Sequence, residues 1–168
     1  MTPDDIRTLI DYNYWARDRV LASVAQLPAE QLTRAMGSSF SSVLDTLTHI
    51  YMAEWIWYRR WLGQPPVRPD LSGLVDVEHV RAAWVPLEQD IRAFVNGLGA
   101  EGLQRSLEYR SLAGQPATSQ FWEMILHVVN HGTYHRGQIA TFLRQLGSAP
   151  AQSTDMIVFF RERAAAVR

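Results

Sequence analysis

A chain of 168 residues and 19.1 kDa suits one domain spanning residues 1–168, large enough to bury its own core. Apolar residues make up 47 % and charged residues 20 %, a globular balance, and the formal net charge of −1 argues against a dedicated binder of nucleic acid or of an anionic membrane. The chain has no cysteine and no lysine, which excludes disulfides, thiolate nucleophiles, cysteine-based zinc and iron–sulfur sites and lysine Schiff bases. Histidine and carboxylates are the strong metal ligands that are left.

No apolar run approaches the roughly 18 residues of a membrane-spanning helix. The start, Met1-Thr2-Pro3-Asp4-Asp5, is acidic and unlike a signal peptide, so the expected location is the cytoplasm. Helical periodicity dominates the chain, without internal repeats. A first helix is predicted from Pro3, with Thr2 as its cap, to Ala25, on the stripe Ile6, Leu9, Asn13, Ala16, Val20 and Val24. A second runs from Ser41 or Ser42 to Leu62, closed by Gly63 and Pro65-Pro66. Its aromatics fall on two faces, Tyr51, Trp55 and Tyr58 on one and Trp57 and Trp61 on the other, which suggests cover on most sides, in part by another subunit.

A third helix is expected over Asp76–Asn96 on Val77, Val80, Trp84, Leu87, Ile91 and Phe94. Pro86 should kink it or displace its start, and Gly97 and Gly99 should end it. The stretch from Leu103 through Leu112 to Thr118, with Ala113-Gly114-Gln115-Pro116 inside it, reads as a short extended hairpin or loop. A fourth helix spans Ser119–Leu146 and a fifth Thr154–Ala165. The fold class is therefore all-α: an antiparallel four-helix bundle with a short hairpin or loop before the fourth helix and a C-terminal helix.

Three of the five histidines, His127, His131 and His135, recur every fourth residue on the fourth helix, a spacing that lets neighbouring imidazoles reach one metal ion. With His135 taken as zero at 100° per residue, the apolar stripe of that helix is centred near it, His131 lies at about −40° and His127 at about −80°. His135 therefore points inward, His131 nearly so, and His127 to the edge. His49, on the second helix with Ser42, Asp45, Met52, Ala53 and Ile56, also faces inward. A set of His49, His131 and His135 offers three neutral nitrogen ligands on one side of an ion and leaves the other side open, as in a catalytic site.

A single histidine on an apolar stripe is more often a hydrogen-bonded core residue; the repeated spacing is what favours the metal. Asp45 could orient His49 through its second ring N–H or simply serve the helix N-terminus, and Asn13 could do the same for a ligand or fix the register of the bundle. Glu123 reads as a solvated helix-start acid and His79 as a surface residue. No phosphate-binding glycine loop or serine triad is legible.

The run His127-Val128-Val129-Asn130-His131-Gly132-Thr133-Tyr134-His135-Arg136-Gly137-Gln138 resembles the hallmark of the DinB/YfiT-like family. Tyr12-Asn13-Tyr14-Trp15-Ala16-Arg17, the segment Ser42–Trp57, and Leu143 to Met156 with Gly147 and Pro150 are similar to the rest of that family's pattern. The resemblance implies a four-helix bundle, commonly a homodimer, holding nickel or zinc on His49, His131 and His135, with His127 one turn away at the pocket. It also implies a link to transferases and isomerases that use a low-molecular-weight thiol. The leading expectation is a metal-dependent enzyme that activates a water or a thiol for hydrolysis or S-transfer on a small molecule. Asp45 and Tyr134 are the candidate acid or base, and Arg136 or Arg110 the candidate contact for a polar cofactor at the pocket mouth. The rival is a non-catalytic, metal-stabilised bundle acting as a ligand-binding or stress-response protein, which predicts a site closed by a fourth protein ligand.

Overall fold

A computed structural model describes residues 1–65, 67–111, 113–149 and 152–166. Pro66 of the expected helix breaker, Leu112 of the expected hairpin or loop and Pro150 of the family pattern lie outside the described residues. The elements in chain order are α1 (Pro3–Val24), α2 (Ala29–Leu32), α3 (Val43–Trp61), α4 (Val77–Gln104), β1 (Ser106–Arg110), β2 (Pro116–Gln120), α5 (Phe121–Gln145) and α6 (Met156–Ala166). Helix α1 packs on α4 and α5, and α3 packs on the same two, so these four make the bundle. Among the described residues no helix is long and apolar enough to cross a membrane.

The helix starts follow local chemistry. Thr2 Oγ1 accepts from the Asp5 N–H at 3.2 Å while the Thr2 N–H donates to the Asp5 carboxylate at 2.9 Å, a reciprocal cap on α1. Ser42 Oγ accepts from the Asp45 N–H at 3.1 Å, and the Asp76 carboxylate from the His79 N–H at 2.9 Å, opening α3 and α4. The Gln120 N–H donates to the Glu123 carboxylate at 2.9 Å, which is the use the first turn of α5 makes of that acid.

Three expectations about boundaries need correcting. Pro86 neither kinks α4 nor moves its start: the backbone stays helical through it, and Pro86 and Ala82, whose carbonyl loses its partner, both face solvent. The long run of helix does end at the expected glycines: the backbone breaks at Gly99, at φ 61°, and a separate short helical stretch follows to Gln104 within α4. The hairpin is real, and it extends to Gln120, so α5 begins at Phe121 instead of Ser119. Helix α6 likewise begins at Met156, after Ser153 Oγ has accepted from the Asp155 N–H.

In the hairpin, Leu107 pairs with Ser119 and Tyr109 with Ala117, so the alternation of strand side chains sends these four to one face. That face turns toward the bundle, with Leu107 and Tyr109 packed against its core. Helix α6 lies on α1 through Phe159, whose ring meets Tyr12 at 5.8 Å and Trp15 at 5.5 Å, while Tyr12 donates its hydroxyl proton to the Thr154 carbonyl at 3.0 Å.

The bundle interior holds a polar knot. Glu54 on α3 is 2 % exposed and accepts from Asn13 Nδ2 at 2.8 Å, Trp84 Nε1 at 2.7 Å and the Tyr14 hydroxyl at 3.2 Å. Asn13 Oδ1 in turn accepts from Arg136 Nη1 on α5 at 2.8 Å. All four bundle helices contribute. Asn13 therefore sets the register of the bundle and orients no histidine.

Gly132 is part of the same construction. A Cβ there would meet Arg136 Nη1 at 2.8 Å and Asn13 Oδ1 at 3.0 Å, whereas one on the exposed Gly137, in the same helix, would meet nothing within 4 Å. Gly132→Ala is expected to lower stability by about 1–3 kcal/mol. Gly137→Ala should raise it by roughly 0.5–1 kcal/mol, because alanine suits a helix interior better than glycine. Urea unfolding of the pair checks both signs.

Candidate metal centre

Helix α5 turns His135 into the bundle, where it is 6 % exposed, leaves His131 half-buried and puts His127 at the exposed edge. That is the order the helical angles predict. His49 is less buried than its stripe suggested. The core face of α3 is Val43, Leu47, Ile50, Tyr51 and Glu54, and His49 sits beside it with Met52 and Ala53, half-covered. The reason is that α3 packs against α4 and α5 at once and leaves the wedge next to His49 open.

One donor atom from each of His49, His131 and His135 falls within 4.8 Å of the other two. His131 Nε2 is 3.1 Å from both His49 Nε2 and His135 Nε2. Such a meeting cannot be satisfied by hydrogen bonds alone. Gln138 Oε1, an acceptor, lies 2.7 Å from His135 Nδ1, so the ring proton sits on Nδ1 and Nε2 presents its lone pair. His131 Nε2 can donate to one neighbour and not to both. A cation at the meeting point satisfies all three lone pairs, so the residues present could hold a divalent ion.

Electrostatics favour the same state. Burial, reinforced by the neighbouring His135, lowers the pKa of His49 from 6.5 to about 4. Burial, with His135, His49 and His127 around it, lowers that of His131 to about 3. Both rings are unprotonated at neutral pH, as metal ligands must be. Between pH 6.5 and about 4 the unfolded chain takes up protons at these two positions that the folded chain refuses, so stability falls as pH falls through that window. Metal-free protein should therefore unfold at lower urea at about pH 5 than at about pH 7.5, and His131→Gln should shrink the difference.

The cluster opens on a cavity of about 350 Å³ walled by α3, α5 and the hairpin. Its lining is mainly apolar, with Ile56 and Trp57 from α3 and Tyr109 and Ala117 from the two strands. Trp57 meets the His127 ring edge-on at 5.1 Å and the Tyr109 ring at 5.3 Å. A larger hollow of about 520 Å³ lies at Trp15, Arg19 and Gln152, but no histidine reaches it. Phe40, from the loop before α3, stacks on His49 at 4.0 Å and meets His135 edge-on at 5.3 Å, covering the cluster from the opposite side.

Several expected partners are elsewhere. Asp45 is exposed in the first turn of α3 and makes no hydrogen bond to His49; its N–H donates to Ser42 Oγ and its carbonyl accepts from Thr48 Oγ1. Arg136 is not at the pocket mouth but 3 % exposed in the polar knot, and Arg110 is spent on the Gly114 carbonyl at the hairpin turn, 2.9 Å away. The two differ in cause: Arg136 is drawn inward by a buried acceptor on α1, whereas Arg110 stays exposed and bonds to its own turn. Tyr134 is 64 % exposed, its ring 5.0 Å from that of His135. His79 is exposed and paired with Asp76, as expected of a surface residue. Gln138, Phe40, Glu54 and Arg60 had no expected role. Gln138, three residues after His135 on one face, and Glu54, on the stripe of Leu47, Ile50 and Tyr51, carried a helical signal; Phe40, in a loop, carried none.

The sequence model of the DinB family matches residues 2–161. Protein DinB of Bacillus subtilis (strain 168) is 28 % identical over 153 residues, covering 85 % of this chain and 87 % of that protein. The uncharacterized protein YizA of the same strain is 23 % identical over 145 residues, covering 86 % and 89 % respectively.

Proposed function

This chain belongs to the DinB family, and from that premise we propose that it is a metal-dependent enzyme acting on a small molecule, with nickel or zinc held by His49, His131 and His135. The observation that carries the reading is the convergence of three imidazole nitrogens beside an apolar cavity, with no further histidine or carboxylate in the group among the described residues. A closed, purely structural site would supply a fourth protein ligand. When bound, the ion would supply Lewis acidity that makes a water or a low-molecular-weight thiol nucleophilic near neutral pH, the chemistry common to hydrolysis and thiol S-transfer.

The chain's own residues supply position and exclusion of water. Gln138 holds the His135 proton on Nδ1, which fixes both the tautomer and the angle of the ring. Phe40 covers His49, and Trp57 and Ile56 offer the apolar wall against which the body of a small molecule can lie.

The test is turnover by protein refilled with nickel or zinc, assayed on 4-nitrophenyl acetate alone and on 1-chloro-2,4-dinitrobenzene with free cysteine as the thiol. Acceleration of at least one reaction is expected, falling to background on chelation and in His131→Ala. A rate indifferent to both treatments would overturn the reading.

A further inference from the structure

His49 and Arg60 are eleven residues apart on α3, about three turns and roughly 16 Å of helix rise, and both line the same cavity. Arg60 is 6 % exposed, and its Nε is buried with no hydrogen-bond partner. Among the described residues no carboxylate pairs with it, and no acidic side chain lines the cavity. What holds it is flat and aromatic: Cζ lies 4.6 Å from the Trp57 ring and 5.4 Å from the Tyr109 ring. The two rings, which stand at 67° to each other, attract a guanidinium but accept no ordinary hydrogen bond from its N–H donors.

The other buried arginines are treated differently. Arg17 is bonded to Asp18 and Glu88, and Arg136 to Asn13 and Thr133. A cation in the last turn of a helix complements its dipole, yet an exposed one does so as well, without the cost of burying an unpaired charge. A buried guanidinium held by aromatic contact, with no hydrogen-bond acceptor among the described residues and an apolar cavity before it, is built to receive a planar anion.

We propose, resting on the reading of this cavity as the substrate site, that Arg60 receives a carboxylate, so that the substrate class is a small carboxylic acid whose apolar middle lies along Ile56 and Trp57 toward the histidines. Arg60 acts at the end of the substrate away from the reacting atoms and sets specificity.

The test is binding, measured by calorimetry with octanoate and the isosteric neutral octanamide, on metal-loaded and chelator-stripped protein. Stripped wild type should bind octanoate about 10- to 100-fold more tightly than octanamide, the effect of a charge-assisted hydrogen bond. Arg60→Met, which keeps the stem between the rings, should bring that ratio to about one, and Arg60→Lys should keep part of it. Circular dichroism checks that both variants fold; should Arg60→Met not fold, the wild-type ratio and Arg60→Lys still decide. Equal affinity for the two probes, no binding of octanoate by wild type, or a ratio that survives Arg60→Met would overturn the proposal. So would octanoate that binds only the loaded protein regardless of Arg60, since the acid would then sit on the ion. Elemental analysis of the same samples tests the metal reading separately, because the octanoate preference is read on stripped protein.

Discussion

Protein purified without an affinity tag should carry about one divalent ion per chain, and His49→Ala, His131→Ala and His135→Ala should each lose it. The three rings are not equivalent in place: His135 is buried, His131 half-buried between the others, and His49 comes from a different helix. They should nevertheless be equivalent in effect, because each contributes one of only three nitrogens. Removal of any one should weaken binding by more than roughly 100-fold, beyond the range typical of an outer partner. Gln138→Ala provides the graded comparison. It leaves all three nitrogens and frees only the His135 ring to turn or change tautomer, for an expected loss of about 10- to 100-fold. Elemental analysis and competition with a chromogenic chelator read both effects. Retention of the ion by His131→Ala would sink the assignment, since His131 Nε2 is the atom both other rings approach.

Glu54→Ala should cost about 3–5 kcal/mol of folding stability, the range for breaking a buried charge network by removing one member. Asn13, Trp84 and Tyr14 would each be left with a buried donor and no acceptor. The positive charge of Arg136, which acts on Glu54 from α5, would lose a buried counter-charge, whereas Arg17 would keep Asp18 and Glu88. Burial raises the pKa of Glu54, while the bonds from Trp84 and Asn13 and the two arginines oppose that rise. Glu54→Gln retains one acceptor oxygen and should fall between wild type and Glu54→Ala. Urea unfolding gives the magnitudes, and a Glu54→Ala protein within about 1 kcal/mol of wild type would refute the account. Folded Glu54→Gln should still bind its metal, because Glu54 belongs to the core and not to the histidine group.

The histidines and Glu54 differ in how far they could be read from the chain alone. The histidines were legible because a helix converts spacing into direction. Four residues bring a side chain back to nearly the same face, so the inward order His135, His131, His127 came from counting. Helix starts at Thr2, Ser42 and Asp76 were legible for a similar reason, since a cap is a local bond between residues three apart. Glu54 carried the same kind of signal on the stripe of Leu47, Ile50 and Tyr51. Its partners did not: Asn13 and Trp84 are 41 and 30 residues away in the chain, and Arg136, on α5, is farther still.

The arginines show where counting stops. Nothing local distinguishes Arg136, in a buried knot, from Arg110, at a hairpin turn, or from Arg60, between two aromatic rings. A long flexible side chain goes where a partner is, and for Arg136 and Arg60 a decisive partner, Asn13 or Tyr109, belongs to another element. The same holds for Phe40, whose loop has no period, and for the hairpin, whose Tyr109 and Ala117 become a cavity wall only because the strands stand across from α3 and α5. Residue order alone sets the bundle helices, their caps and the three histidines that face one interior, because those depend on period and on bonds spanning a single turn. The meeting of the three nitrogens, the ring that covers them, the cavity beside them and the unpaired cation at its far end arise only when four helices and a hairpin pack together, because each is a relation between side chains far apart in the chain.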